Sequence, residues 1–346
     1  MFDYLKLKLG ALVLDLPRYE WWLHRSWIRI CNRNERLMTT PAQNAVACDW
    51  QWTSDLHVAK VFPLFGARLM RRALADWPFV FADAPASSSC GDAIQISFVI
   101  GHRGSARIAH LLSTLATIAA QRGVICECIV VEQSAVAEVR ELLPKWVRYI
   151  HTPPPVADMP YCRSWTLNVG ARLARGALLV LHDNDMLVPR AYAAELWARY
   201  QEGNKAINLK RFIFYLSEQH TRRIVASKAL FTDEPVGTVV QNLEAGGSVA
   251  IEREAFLAIG GFDESFVGWG GEDNEFWERA ETLTVWPYGY LPIVHLWHPA
   301  QPKKNDLTNP TLRRFAERSA IPPADRIMEI KARDFGNAQK LSVQWE

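Results

Sequence analysis

Three short apolar runs constrain the fold more than any other feature of this chain. Ile94–Ile100, Cys126–Val131 and Ala177–Leu181 are too short for helices and too continuously apolar for strands with one wet face. Between the first two lies Arg107–Gln121, where Ile108, Leu111, Leu112, Leu115 and Ile118 recur at helical spacing. Before the third lies Tyr161–Arg175, with Trp165, Leu167 and Val169 on its apolar faces and Gly176 as its stop. Strand, helix and strand in alternation predict an α/β chain with a mostly parallel, Rossmann-like sheet flanked by helices. In such sheets ligands gather at the loops that leave the strand C-termini. Here those loops carry Gly101-His102-Arg103-Gly104, Glu132 and His182-Asp183-Asn184-Asp185.

With 346 residues the chain is long enough for about two domains, and 49% hydrophobic with 22% charged residues describes a folded globular protein. A net charge of +2 without a Lys/Arg run gives no electrostatic case for nucleic acid. Met1–Leu16 is interrupted by Asp3, Lys6, Lys8 and Asp15, so no leader pattern is read, and no run reaches the ~18 apolar residues of a membrane span. The expectation is a soluble, cytoplasmic protein in peripheral contact with a membrane surface. None of the six cysteines forms a C-x-x-C pair; Cys126 and Cys128 share one strand face and read as buried thiols.

Residues 1–90 hold six of the fourteen tryptophans, mixed with Arg18, His24, Arg25, Arg29, Arg33 and Arg36. That mixture suits a membrane interface or a glycan-stacking surface. The plainer expectation is a helical layer packed on the main domain, with Trp50, Trp52 and their fellows as ordinary core. Phe62–Leu74 reads as one of its helices, and Pro85–Gly91 as a linker. The chain thus divides into a Trp-rich helical extension (1–90), a main domain (91–310) and a tail (311–346) with no readable chemistry.

Within the main domain, Asp183 and Asp185 end a buried strand, a placement that suits a hard divalent cation, although a lone Asp-x-Asp is also a common solvated turn. Arg103 and Glu132 sit at equivalent ends and read equally as surface charges. Helix Ala191–Gln201 and strand Ala206–Leu209 precede a weakly patterned stretch to Glu234, read as loops over the site. Glu244–Ile251 is another strand entry, with Gly246-Gly247, and Glu252–Ile259 is a short helix. Then comes Gly260–Phe276, where a glycine-rich loop delivers Trp269, Glu272 and Asp273 to the start of a helix. Strand Val285–Tyr290 leads to His295 and His298, placed to share a metal. Lys303, Lys304 and Asn305 follow, placed to neutralise phosphate.

These motifs, in this order, resemble the glycosyltransferases of GT-A fold, above all the β-1,4-galactosyltransferase catalytic domain and family 2, chondroitin-polymerase-like enzymes. The likeness spans about residues 94–316. Ser97–Arg103, Arg163–Gly170 (Arg-x4-Asn-Val-Gly), Leu179–Asp185, Gly246-Gly247, Gly268–Asp273 (Gly-Trp-Gly-Gly-Glu-Asp) and His295–His298 carry it. The resemblance implies donor-binding roles for Arg103, Glu132, Arg163, Asn168, Asp183 and Asp185. It implies Mn²⁺ or Mg²⁺ held by Asp185 and His298, with His295 where the animal galactosyltransferases have a methionine. Trp269, Gly270 and Glu272 would meet the acceptor, and Asp273 would be the general base. A UDP-sugar donor, galactose or N-acetylgalactosamine, and a glycan or glycolipid acceptor follow, with inversion at the anomeric carbon. A nucleotidyltransferase, or a glycan-binding protein with a degenerate transferase site, are the rival readings.

Overall fold

A computed structural model of the chain describes residues 2–38, 45–48, 53–86, 93–241, 245–300 and 309–343. Its main sheet has seven strands in the order Val285–Trp286, Ala206–Ile207, Ser248–Glu252, Leu178–His182, Ile96–His102, Cys126–Glu132, Arg148–His151. The last four are mutually parallel, and Ser248–Glu252 runs against Leu178–His182. The chain moves outward from Ile96–His102 to Arg148–His151, then returns to the other side of its first strand. That reversal opens a crevice between the ends of Ile96–His102 and Leu178–His182, where Ile100 lies opposite His182.

Both faces of the sheet are apolar. Phe98, Ile100, Val130 and Val180 face Leu111, Leu115 and Tyr192 of the helices Ile108–Ala119 and Tyr192–Gln201. Their neighbours Val99, Ile129, Val131 and Leu181 face Trp165 and Val169 of Arg163–Leu173, together with Phe256 and Phe262. The period of two, apolar on both sides, is why these strands read as continuous apolar runs.

A second sheet has the order Ser54–Asp55, Thr238–Gln241, Lys210–Tyr215, Leu291–His295, Met186–Leu187. It corrects two expectations. Most of the stretch expected as loops is regular: Lys210–Tyr215 is a buried central strand, and Glu218–Ser227 is a helix whose His220 amide donates to the Ser217 hydroxyl at 3.1 Å, which leaves 228–234 as loop. The charged pair Lys210-Arg211 hides that strand. Both are buried because Lys210 Nζ donates to the Ser248 carbonyl (2.6 Å) and Arg211 Nε to that of Ile28 (2.6 Å). The single strand expected over 285–290 is two, Val285–Trp286 in the main sheet and Leu291–His295 in the second.

The first 90 residues do form a helical layer, but they are also part of the second sheet. Ser54–Asp55 pairs with Val240–Gln241, and Tyr19, Leu23, Trp27, Phe65 and Leu69 bury Phe212, Phe214, Val294 and Leu296. Trp27 is core, its indole N–H donating to Asp76 at 2.9 Å. Trp50, Trp52, Cys90 and most of the 85–91 linker lie outside the described residues. The described cysteines are free thiols, and Cys128 is fully buried in the sheet.

Candidate active site

Two corners of the crevice hold the polar groups. In the first, strand alternation aims His295. Its neighbours Val294 and Leu296 are buried against the N-terminal layer, so His295 faces the other way and stacks on Tyr215, ring centroids 4.2 Å apart. Asp185, itself buried, is fixed by its carbonyl, which accepts from the Leu296 amide at 2.9 Å. Its carboxylate lies 3.7 Å from His295 Nε2 and 3.4 Å from His298 Nε2. One ligand atom from each of the three falls within 4.8 Å of the others. One carboxylate oxygen and two imidazole nitrogens suit Mn²⁺ and later divalent ions. His298 Nδ1 lies 2.8 Å from the Pro299 carbonyl, a partner for the tautomer that carries its proton on Nδ1 and leaves Nε2 free to ligate. The donor set therefore fits a divalent cation. Arg107 also enters this corner, with Nη1 3.2 Å from Asp185 Oδ2 and Nη2 3.0 Å from His298 Nδ1.

In the second corner the glycine loop meets the helix Glu272–Ala280. Gly271 caps that helix in the left-handed region (φ 85°), and a Cβ there would lie 2.8 Å from Phe315 Cβ. Glu272 turns back to accept from the Gly270 amide at 3.1 Å. Arg163, on the opposite helix, joins the carboxylates. Its Nε is 2.8 Å and its Nη2 2.7 Å from Asp183 Oδ1, its Nη1 is 2.6 Å from Asp273 Oδ1, and Glu272 is 3.9 Å away. Three carboxylates thus share one guanidinium. Burial, opposed by Arg163 but reinforced by Asp273 and Asp185, pushes Asp183 up to about 6. Burial and then the Asp273 charge push Glu272 up to about 7. Trp269 stands beside them, 40% exposed, between Gly268 and Gly270, both left-handed. Its carbonyl accepts from Asn309 Nδ2 (3.1 Å) and from the Thr311 hydroxyl.

Two buried histidines brace the Asp-x-Asp turn. His102 Nε2 donates to the Gly104 carbonyl (2.7 Å) and its Nδ1 accepts from the Asn184 amide (2.8 Å). His182 bridges the Ser248 hydroxyl (2.7 Å) and the Met186 carbonyl (2.9 Å), and burial pushes it down to about 4.

The structure brings together Arg163, Asp183, Asp185, Trp269, Gly270, Glu272, Asp273, His295 and His298. It gives three other expected residues different surroundings. Asn168, expected at the donor, is fully buried. Its amide donates to the Phe262 carbonyl (2.9 Å) and Glu264 (3.0 Å) and accepts from the Phe262 amide (2.8 Å), so it positions the glycine loop. Glu132 is also buried, accepting from Tyr149 (2.6 Å) and from the amides of Glu138 and Val139 (3.1 and 3.3 Å). Arg103 is exposed and donates to the Met159 carbonyl at 2.9 Å, away from the carboxylates. Lys303, Lys304 and Asn305 lie outside the described residues.

Arg107 and the C-terminal segment are what sequence reasoning missed. Arg107 read only as a helix start, and its position four residues after Arg103 was the available signal. The 311–346 segment read as a tail, yet it braces the signature loop. Asp263 pairs with Arg333 (2.7 Å) and Arg318 (3.2 Å), and Glu264 accepts from the amides of Gly336 (2.7 Å) and Ser342 (2.8 Å). Burial would raise the Asp263 carboxyl, but Arg333, the Ser265 amide and hydroxyl, and Arg318 together hold it below its ordinary range.

Residues 241–285, which contain the glycine loop and the carboxylate helix, match the family model described as the N-terminal domain of galactosyltransferase. No curated protein matches the sequence. Among solved structures the chain is similar to one described as GalNAc-T7 with UDP, GalNAc and Mn²⁺. Identity is 16%, 68% of this chain and 50% of that one are covered, and the TM-score is 0.47. The chain thus spans half the length of that protein. The galactosyltransferase match thus covers the segment that supplies Trp269, Glu272 and Asp273 to the crevice, beside the Asp-x-Asp turn that ends Leu178–His182.

Proposed function

We propose that the chain is an inverting, metal-dependent glycosyltransferase that moves galactose or N-acetylgalactosamine from a UDP-sugar to a hydroxyl of a glycan acceptor. One observation carries the reading. Arg163 links Asp183, from the Asp-x-Asp turn, to Asp273, from the glycine-loop helix, in the same crevice that gathers Asp185, His295 and His298. Asp185, His295 and His298 would hold the cation, which when bound supplies positive charge to stabilise a departing diphosphate. Arg163 is placed to exchange its carboxylate contacts for donor oxygens. Asp273, one-quarter exposed at a helix N-terminus, is more open to an incoming hydroxyl than Glu272 beside it. It takes the proton of that hydroxyl as the oxygen bonds to the anomeric carbon and the bond to the diphosphate breaks. Glu272 and the face of Trp269 would orient the acceptor. With Asp273 as the base and no side chain among the described residues assigned as a nucleophile, inversion is the favoured outcome.

The test is release of UDP across a panel of nucleotide sugars, with and without Mn²⁺, beside Asp185→Ala. Metal-dependent release from one donor, abolished in Asp185→Ala, is expected. An absence of both UDP and Mn²⁺ binding by calorimetry would overturn the reading. With an acceptor in hand, the anomeric configuration of the product, read by NMR, decides inversion.

A further inference from the structure

The N-terminal helix runs unbroken from Phe2–Gly10 through the wider turns of Ala11–Asp15 into Leu16–Arg25; Gly10 and Leu16, at the joints, keep right-handed helical backbone (φ −60° and −58°). One edge is packed. Ala11, Asp15, Tyr19 and Leu23, four residues apart, are buried. The outer side of the first half is bare. Leu5, Leu9, Leu12, Val13 and Leu14 are each 48–65% exposed. They are five of the sixteen exposed large apolar side chains among the described residues, gathered within ten positions, so they form a strip rather than scattered surface residues. Leu5, Leu9 and Leu12 follow the spacing of one helix face.

Charge indicates what covers the strip. The first 38 residues hold seven Lys/Arg against four Asp/Glu, while the whole chain carries only +2, so the positive excess resides at this end. Three of those acids are engaged within the protein: Asp15 by Arg33 (2.8 Å), Glu20 by Arg68, and Glu35 by Asn32 (3.0 Å) and Ser54 (2.7 Å). Lys6 and Lys8 flank the strip. Further along the helix Trp21 is 55% exposed, with the Arg25 guanidinium 3.2 Å from its ring centroid. Leucines inserted below and Trp, Lys and Arg at the rim are the composition of a helix lying in a lipid headgroup layer. No helix among the described residues is long and apolar enough to cross a membrane. A second copy of this chain would bring the same positive charge to the contact, whereas anionic lipid brings the opposite one.

We infer that the helix from Phe2 to Arg25 docks on an anionic lipid surface, its leucine strip inserted and its basic residues among the headgroup phosphates. The layer that contains this helix packs on one face of the second sheet, and His295 lies on the other face. Docking would therefore hold the crevice at a fixed attitude to the bilayer, as an enzyme acting on a lipid-linked acceptor needs. The inference goes beyond the transferase reading and does not rest on it, since vesicle binding needs neither donor nor metal.

The full chain is sedimented with phosphatidylcholine vesicles, and with vesicles in which about one-third of the lipid is phosphatidylglycerol, at low and high salt. Binding to the anionic vesicles at low salt, weakened about tenfold on neutral vesicles or at high salt, is expected. The double variant Leu9→Glu/Val13→Glu, at exposed positions that leave the fold intact by circular dichroism, should lose about tenfold in vesicle affinity. No sedimentation with either vesicle would overturn the inference. So would a solution dimer that the same substitutions dissolve, because the strip would then face a second copy.

Discussion

The helix Glu272–Ala280 carries acids of two kinds, and the difference between them separates site from scaffold. Glu275, one turn inside, is fully buried and pairs with Arg279 (2.8 and 2.6 Å) and Arg326 (3.2 Å), while Arg326 also reaches Glu278 (2.8 Å). Each acid there is matched by at least one cation, and Arg279 closes the loop by donating to the Ile259 and Gly261 carbonyls (2.6 and 2.7 Å). At the first turn the balance reverses, because among the described residues Glu272, Asp273 and Asp183 share one cation, Arg163. Buried acids matched by cations rigidify, whereas Glu272 and Asp183, short of cations, hold raised proton affinities, and the three acids around Arg163 keep acceptor capacity for a proton or a ligand.

The largest expected effect sharpens that contrast. Asp273→Asn keeps the shape and removes the base, so transfer to acceptor should fall by about 10²- to 10⁴-fold while the calorimetric affinity for donor changes only a few-fold. An equal fall in both would make Asp273 a donor ligand instead. On the scaffold side, Arg326→Met leaves the fully buried Glu275 with one fewer cation. Unfolding free energy in urea should drop by about 3 kcal/mol. A drop below about 0.5 kcal/mol would show that the inner acids do not depend on their cations, and the comparison would break.

Much of this was legible in sequence, for physical reasons that also explain the rest. The parallel strands were readable because burial on both faces leaves uninterrupted apolar runs, and the polar ends of those runs located Asp183 and Asp185. The glycine loop announced its carboxylate helix. The second sheet was hidden because two of its strands have only two residues and a third opens with Lys210 and Arg211, whose burial depends on partners far along the chain. Arg163 lies 20 residues from Asp183 and 110 from Asp273, so nothing local announced their junction, and the resemblance implied only a donor-binding role for Arg163. The brace by Arg318, Arg326 and Arg333 looked like an ordinary charged helix face, since what distinguishes it is tertiary pairing with Asp263 and Glu275.

A smaller effect tests the cation shortage through pH. Burial and Asp273 raise Glu272 from 4.5 to about 7, so folding favours its protonated form. That contribution is fully present below about pH 4.5 and is lost as pH rises through about 7. Glu272→Gln mimics the protonated form at every pH. The stability of the variant relative to wild type should therefore grow from near zero at low pH to roughly 3 kcal/mol at most above pH 8. A difference that stays flat with pH would place Glu272 among the balanced acids.

The smallest expected effect concerns the metal corner, where Arg107 makes the comparison local. Its guanidinium contacts Asp185 Oδ2 and His298 Nδ1. A guanidinium only donates, so that contact calls for a bare Nδ1 and a proton on Nε2. The Pro299 carbonyl, 2.8 Å from the same Nδ1, calls for the opposite tautomer, which leaves Nε2 free to ligate. Arg107 thus opposes a divalent ion twice, by charge and by tautomer. Arg107→Gln removes the charge and can follow either tautomer, so Mn²⁺ should bind the donor-free protein about two- to tenfold more tightly by calorimetry. Weaker binding in that variant would instead make Arg107 a support that positions His298 for the cation. The metal corner would then resemble the inner acids of the carboxylate helix, where the guanidinium belongs to the scaffold.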